Sequence, residues 1–415
     1  MLRCGLLGRT LGHSYSPQIH RRLGDYEYRL YEKEPEEVDA FLKSGEFDGL
    51  NVTIPYKKTV IPYCTELSDA AKTIGSVNTL VRRKDGTLYG DNTDAAGLLW
   101  MVRRLGVDIE KKKCLVCGSG GASLTAQAVL HKCGAGEIIV LSRSGPEGYE
   151  NLSRHADAAL LVNTTPLGMY PNAGKSPVDL QDLPNLAGVL DVVYNPARTR
   201  LLLDAEERSI PACGGLWMLV EQARRAAELW TGAPVPDTEV ERIFCELRRE
   251  TLNLVLVGMP GCGKTTLGAL SAKQLGRTLA DADEAVERRT GKPIPAIFEA
   301  GGEEAFRREE TAALAELGQR SSLVLATGGG CVTREENHSL LHQNGVIIHI
   351  TRPAALLPRE GRPLSQGTDL TAMWAKRAPL YRRFADAEIE NTGTPDEAVQ
   401  KILEAFYEIS GHQRA

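Results

Sequence analysis

Short apolar runs recur along the chain and alternate with longer stretches of mixed, helical polarity. RCGLLG, YEYRLYE and FDGLNVTIP come first; KCLVCG, EIIVLS, AALLVNTT and GVLDVVY follow; NLVLVG, SLVLATGGG and GVIIHIT close the series. Strand-like runs spaced by helices predict α/β units with mainly parallel sheets. Several runs end in glycine or a small polar residue. Open α/β sheets build their sites at the carboxyl ends of strands, so the chemistry is expected there.

The same pattern divides the chain. Residues 1–93 form a first block that closes with VNTLVRRKDGTLYGDN, whose Lys-Asp-Gly-Thr centre predicts a hairpin. Residues 94–215 form a second block, opening with a helix at Asp94 and containing a glycine-rich turn at 118–121. GGLWMLVEQARRAAELW predicts a helix over about 216–235 that completes the first block, and TGAPVP breaks it. DTEVERIFCELRRE predicts a charged linker helix over 236–251, and a final block, 252–415, starts on a fresh strand. A chain of 415 residues exceeds one ordinary core, in keeping with several domains.

Composition narrows the function classes. Hydrophobic residues at 42% and charged residues at 25% suit a fully folded globular chain. Lys plus Arg number 49 against 54 Asp plus Glu, so a net charge of −5 provides no broad basic field for nucleic acid. No apolar run is long enough to span a bilayer and the N-terminus does not read as an export signal, so no membrane partner and a cytoplasmic location are expected. The nine cysteines are then reduced thiols. Cys114 and Cys117, three apart on a strand, should point to opposite faces as core residues rather than form a metal pair.

The strongest local signal is NLVLVGMPGCGKTT, an apolar strand entering Gly258-x-x-x-x-Gly263-Lys264-Thr265 and then a helix. This is a P-loop in its required context. Gly258, Gly261, Cys262, Gly263, Lys264, Thr265 and Thr266 are expected around the phosphates: the glycines let main-chain N–H groups turn inward, Lys264 adds charge, and Thr265 offers a hydroxyl to Mg²⁺. A P-loop alone leaves GTPase, motor ATPase and small-molecule kinase open. Asp281 and Asp283 follow a short strand, so one carboxylate can assist the metal while the other faces an acceptor hydroxyl. Arg307 lies in a helical stretch, and three glycines after LVLAT permit close approach to a ligand.

Over nearly its whole length this block resembles shikimate kinase, through the P-loop, the DxD at 281–283, the FR of AFRREE, TGGG at 327–330, GRPL at 361–364 and KRAPLYRR at 376–383. The resemblance implies that Asp283, Arg307, Gly328, Gly329, Gly330 and Arg377 hold shikimate, leaving Asp281 with Thr265 for the metal. It also implies that Lys264, Asp283 and a lid residue, Arg362, act in phosphoryl transfer from ATP. Arginines suit a carboxylate substrate, which a guanidinium fork binds in a bidentate way. The lid segment, TRPAALLPREGRPLSQGTD, is shorter than is usual in that family.

In the second block, CLVCGSGGAS joins a strand to a helix and suits a dinucleotide pyrophosphate, although it lacks the last glycine of the usual fingerprint. Gly118, Gly120, Gly121, Ala122, Ser142, Arg143, Ser144 and Gly215 are the expected cofactor contacts. Arg143, about 20 residues on, favours a 2′-phosphate and hence NADP(H), with NAD as the alternative. Carbonyl reduction leaves an alkoxide that needs a proton, so a Lys oriented by a carboxylate is a sensible acid/base pair. Lys57 and Asp94 are candidates, though by composition alone they read as a solvated Lys and a helix N-terminal Asp.

Residues 1 to about 235 resemble shikimate dehydrogenase, through GHSYSP, NVTIPYK, SVNTL, GDNTDAAG, GSGGAS, NTTPLGM, DVVYNP and MLVEQA in order. The resemblance implies that Ser14, Ser16, Thr53, Asn78, Tyr194 and Gln222 hold the substrate while Lys57 and Asp94 carry proton transfer. The stretch between Arg143 and Asn163 is shorter than that family's, predicting loss of a helix or strand. The whole reads as an α/β chain: a two-lobed dehydrogenase with a Rossmann-like dinucleotide domain, then a P-loop kinase domain with a parallel sheet. The two halves are expected to take 3-dehydroshikimate to shikimate and shikimate to its 3-phosphate. One alternative is a quinate/shikimate dehydrogenase using NAD, joined to a broader kinase. Another is a sensor without turnover, which should lack Lys57, Asp94, Lys264 or Asp283; all four are present.

Overall fold

The structure, a computed structural model, describes residues 1–12, 14–353 and 370–411. The first sheet holds β1 (Arg3–Gly8), β2 (Glu27–Glu32), β3 (Gly49–Val52), β4 (Cys64–Leu67), β5 (Thr79–Arg82) and β6 (Leu88–Asp91), in the order β2-β1-β3-β5-β6-β4. It is mixed: β1 runs parallel to β2 and β3, while β5 is antiparallel to β3 and β6. The β5–β6 pair is the hairpin whose turn was legible in the sequence. Helices α1 (Ser16–Leu23), α2 (Pro35–Lys43) and α3 (Asp69–Ile74) accompany this sheet. Buried Phe41, Phe47, Leu50 and Leu80 fill its core.

The second sheet is parallel throughout: β7 (Lys113–Cys117), β8 (Glu137–Leu141), β9 (Leu160–Asn163), β10 (Gly188–Asp191) and β11 (Ala212–Gly214), in the order β11-β10-β9-β7-β8. Its chain contains α4 (Asp94–Leu105), α5 (Gly121–Lys132) and α6 (Arg200–Glu207), followed by α7 (Leu216–Thr231) and α8 (Asp237–Thr251). Cys114 packs in one core cluster and Cys117 in another, so the two thiols face opposite sides of the sheet. Between β8 and β9 the chain makes only a 3₁₀ segment, Tyr149–His155. The shortened stretch thus has no α-helix where a doubly wound unit would cross over with one.

The third sheet is also parallel: β12 (Asn253–Val257), β13 (Thr278–Asp281), β14 (Leu323–Ala326), β15 (Gly345–Thr351) and β16 (Ala387–Glu390), in the order β13-β14-β12-β15-β16. With it go α9 (Lys264–Leu275), α10 (Ala282–Thr290), α11 (Ile294–Gly318, interrupted at Gly302), α12 (Glu336–His342), α13 (Leu370–Phe384) and α14 (Pro395–Gly411). β12 is buried at every residue, as a central parallel strand covered on both faces must be. Among the described residues no helix is long and apolar enough to cross a membrane.

Helices α7 and α8 depart from the expected outline. α7 stops at Thr231, where Gly232 adopts the left-handed conformation at φ +71. Its first half packs Trp217, Val220 and Ala223 with the dinucleotide lobe. Its second half packs Ala226, Ala227 and Trp230 against Cys4 and Tyr26 of the first lobe. Trp230 Nε1 donates to Leu80 O at 3.0 Å, in space left by Gly49, so α7 belongs to both lobes. α8 is more than a linker: Val240, Ile243, Phe244 and Leu247 are buried with the second lobe, and its Arg248 Nε donates to Ser410 O of α14 at 3.1 Å. Its other charged residues are exposed or half-buried on the remaining surface. Phe244 stacks on Trp217 with centroids 3.5 Å apart. Phe244→Ala should therefore destabilise the chain by about 3–5 kcal/mol, read as a lower denaturant midpoint.

Candidate active sites

The first site lies between the first two lobes. Lys57 stands in the turn after β3; its carbonyl accepts from Val77 N at 2.8 Å, and neighbouring Tyr56 is buried, which ties the turn to the sheet. Asp94 is the first residue of α4, where the positive end of a helix favours a carboxylate. Lys57 Nζ donates to Asp94 Oδ2 at 2.6 Å. Their side chains are 32% and 19% exposed, so the pair is sheltered yet reachable.

Of the other expected substrate residues, Asn78 and Gln222 are tied to Thr93, which precedes Asp94. Asn78 Oδ1 accepts from Thr93 N at 2.7 Å and from Thr93 Oγ1 at 3.2 Å, while Thr93 Oγ1 lies 3.5 Å from Gln222 Oε1. Asn78 thereby fixes the residue preceding Asp94. Thr53 N donates to Leu7 O at 2.9 Å, and Ser14 Oγ accepts from Ser16 N at 3.2 Å at the start of α1. Tyr194 follows β10, its ring 5.4 Å from that of Tyr15.

A cavity of about 510 Å³ lies at the carboxyl ends of the second sheet's strands, bordered by Gly118, Gly120, Ser142, Arg143, Ser144 and Tyr149. Gly118 takes φ +103, a glycine conformation, and a side chain on Gly120 or Gly121 would meet nothing within 4 Å. Open space over the N-terminus of α5 fits a pyrophosphate. Gly121 and Ala122 open that helix without bordering the cavity. Gly215 is also absent from the lining; a Cβ there would collide with Val192 O, so packing against the end of β10 demands this glycine. Tyr149, Thr164 and Thr165 border the cavity and were not singled out in the sequence, although both threonines lie in the NTTPLGM string.

Asp191, at the end of β10, accepts from Asn163 Nδ2, Val193 N and Thr199 Oγ1. Burial nevertheless pushes its carboxyl up to about 6. Between about pH 4 and that value the folded chain keeps a proton that the unfolded chain has released. Stability from this group is thus full below about pH 4 and lost as pH rises through 6, a change of about 3 kcal/mol. Denaturant unfolding across this window should show a flatter stability curve for Asp191→Asn than for the wild-type chain.

The second site is a cavity of about 840 Å³ at the carboxyl ends of the third sheet. Gly258, Gly261 and Gly263 take φ +149, +86 and +106, positions that side chains rarely adopt. Lys264 is buried, and its Nζ donates to Gly258 O at 2.8 Å and Met259 O at 3.1 Å. Thr265 and Thr266 line the cavity; Cys262 packs beneath the loop, its carbonyl accepting from Asn391 Nδ2 at 2.8 Å. Thr265 Oγ1 donates to Asp281 Oδ2 at 3.1 Å, a pair of hard oxygens that fits a Mg²⁺ shared with phosphate. Among the described residues no three or more His, Cys, Asp or Glu side chains gather into a metal cage, so phosphate oxygens or water would complete the shell.

Asp281 caps α10, its Oδ1 accepting from Asp283 N at 2.9 Å. Asp283 faces the cavity; burial, followed by repulsion from Asp281, holds its carboxyl above the ordinary carboxylate value. Arg307 is buried and donates to Glu310 Oε2 at 2.6 Å. Burial opposes its charge, but the Glu310 and Glu303 carboxylates outweigh that and keep it cationic. The glycine run makes room for this pair: a Cβ on Gly330 would strike the Arg307 guanidinium, and one on Gly328 would strike Glu310 Oε1. Arg377 Nη1 donates to Gly329 O at 3.1 Å, and the Tyr381 hydroxyl donates to the same carbonyl. Arg362 lies outside the described residues. Glu310 was missed in the sequence, although its position three residues after Arg307 on a helix places both on one face. Arg352 and Phe298 also line the cavity, and no motif marked them.

Comparison with known proteins accounts for both halves. The family model described as shikimate dehydrogenase substrate binding domain matches residues 6–80, and that described as shikimate 5'-dehydrogenase C-terminal domain matches 215–242. The model described as shikimate kinase matches 260–407. A shikimate dehydrogenase (NADP(+)) of Clostridium perfringens is 36% identical over 265 residues, covering 59% of this chain and 97% of that protein. The shikimate 5-dehydrogenase of Thermus thermophilus, solved with NADP(H) and shikimate, aligns with a TM-score of 0.54 and 30% identity, over 59% of this chain and 98% of its own. That of Listeria monocytogenes, solved with shikimate and NAD, gives 0.53 and 30%, over 58% and 96%. The chain therefore belongs to the shikimate dehydrogenase family and carries a shikimate kinase domain behind it, a fusion of two shikimate-pathway enzymes.

Proposed function

We propose that the first site reduces 3-dehydroshikimate to shikimate with NADPH, and that the second converts shikimate and ATP to shikimate 3-phosphate with Mg²⁺. The observation that carries this reading is the Lys57–Asp94 contact at 2.6 Å, a partly exposed proton donor oriented by a carboxylate. Ser14, Ser16, Thr53, Asn78, Tyr194 and Gln222 supply hydroxyl, phenol and amide groups suited to a polyhydroxylated ring. Bound NADPH would supply the hydride; Lys57 gives its proton to the oxygen that becomes the alcohol, and Asp94 holds the ammonium in line. Arg143 beside the dinucleotide cavity supports a 2′-phosphate, as does the NADP(+) of the Clostridium relative's name.

In the second site, Asp283 takes the proton of the acceptor hydroxyl, a task helped by its raised affinity for protons. Arg307 and Arg377 bind the substrate carboxylate, and Lys264 neutralises charge on the transferring phosphoryl group. Thr265 and Asp281 would hold Mg²⁺, which screens phosphate charge.

Substrate and cofactor choice are tested by initial rates with shikimate or quinate, each with NADP⁺ or NAD⁺, and by ADP release with either acceptor. Shikimate with NADP⁺ should give the highest kcat/KM, and shikimate should be the preferred phosphoryl acceptor. A preference for quinate with NAD⁺ would overturn the assignment.

A further inference from the structure

Two loops of the dehydrogenase half end on the kinase half. The first runs from Tyr194, beyond β10, to Arg198, which is 7% exposed. The Arg198 main-chain N–H donates to Gln343 O at 2.8 Å, and its Nη1 donates to His342 O at 2.8 Å and to Gly345 O at 3.2 Å. Its Nε lies 3.2 Å from Glu206 Oε1, which balances the charge from its own side. The accepting carbonyls run from the last residue of α12 to the first of β15 in the kinase. Between Tyr194 and Arg198, Ala197 packs against the kinase core.

The second loop follows β9. Its Tyr170 hydroxyl donates to Gly318 O at 3.1 Å, at the last residue of α11, the helix that carries Arg307. The loops are joined to each other, since Tyr170 N donates to Asn195 O at 3.4 Å. On the inner side, Tyr194 meets Tyr15 between Ser14 and Ser16. A continuous series of contacts thus leads from main-chain carbonyls of the kinase to the expected substrate wall of the dehydrogenase.

Loops at strand ends have no ladder of their own, so whatever grips them sets where their side chains stand. A guanidinium shared among fixed carbonyls is a strong grip, because its donors are held in a rigid plane. Neither Arg198 nor Tyr170 lines either cavity described above. We propose that Arg198 and Tyr170 are positioning residues for the dehydrogenase reaction, through which the kinase domain holds the Tyr194 wall of the other half's substrate cleft. The inference rests on the assignment of Tyr194 to the substrate made under the proposed function.

The test is steady-state kinetics of both reactions in the full-length chain for Tyr170→Phe and Arg198→Ala, with melting temperatures. The KM for shikimate in the dehydrogenase reaction should rise about three- to tenfold, the effect of one or two weakened hydrogen bonds. The KM for NADP⁺ and the kinase kcat and KM should not change. Adhesion between the halves without positioning would lower stability and leave the dehydrogenase KM of the folded fraction as it was, and that result overturns the proposal. So does a parallel decline of every parameter in both reactions. If Arg198→Ala does not fold, Tyr170→Phe alone decides, since it keeps the ring and removes only the hydroxyl. A wild-type chain without dehydrogenase turnover removes the functional reading as well; an active wild type with indifferent variants removes this inference alone.

Discussion

Lys57→Ala lowers dehydrogenase kcat by about 10³-fold and leaves ADP release from shikimate and ATP unchanged. On the role proposed for Lys57, removing the ammonium would deprive the nascent alkoxide of its proton source, and it leaves Asp94 without the partner it now meets at 2.6 Å. The fold should tolerate the change, because the turn is held by its main chain through Val77 and by buried Tyr56. The kinase cavity contains no residue of the first site, so its kinetics should match the wild type. Measured side by side on one preparation, the two rates separate loss of chemistry from loss of folded protein.

Lys264→Ala gives the opposite pattern, a fall of about 10²- to 10³-fold in phosphoryl transfer with dehydrogenase rates preserved. The lysine is buried inside the cradle, where its charge is weakly screened and counts for more than at the surface. It also holds the carbonyls of Gly258 and Met259, so the variant should lose some nucleotide affinity along with rate. Lys264→Met keeps the bulk of the stem but has no N–H to donate, so it should restore neither the carbonyl contacts nor the rate, and any recovery over Lys264→Ala measures packing alone. If either the Lys57 or the Lys264 change abolished both reactions in folded protein, the two sites would not be independent.

The parts of the molecule that could be read from the sequence are those whose geometry is local. A P-loop needs its glycines within a few residues of Lys264, and a strand-end turn brings Lys57 to an exposed edge by itself. Strand alternation likewise placed Cys114 and Cys117 on opposite faces. What could not be read depends on residues far apart in the chain. The collision that forbids a side chain at Gly330 comes from Arg307, and the glycine at 49 exists for Trp230. The sequence of α8 predicts a charged linker helix, because nothing local says that one side of it meets Trp217 and that its Arg248 reaches α14. Tyr149 reaches the dinucleotide cavity from a stretch without any motif, because the crossover there is too short to form an α-helix. The contacts of Tyr170 with Gly318 and of Arg198 with the 342–345 turn span more than 140 residues of sequence and leave no local signature.

Supplying one purified chain with 3-dehydroshikimate, NADPH, ATP and Mg²⁺, and following reduced nicotinamide and ADP together, probes both pockets at once. Two pockets built for the same cyclic acid predict that NADPH loss begins without delay, that ADP follows once the alcohol forms, and that both reach equal totals with a single phosphate ester as product. Oxidation of NADPH with no ADP release, although ATP and Mg²⁺ are present, would show that the second pocket does not accept what the first one makes.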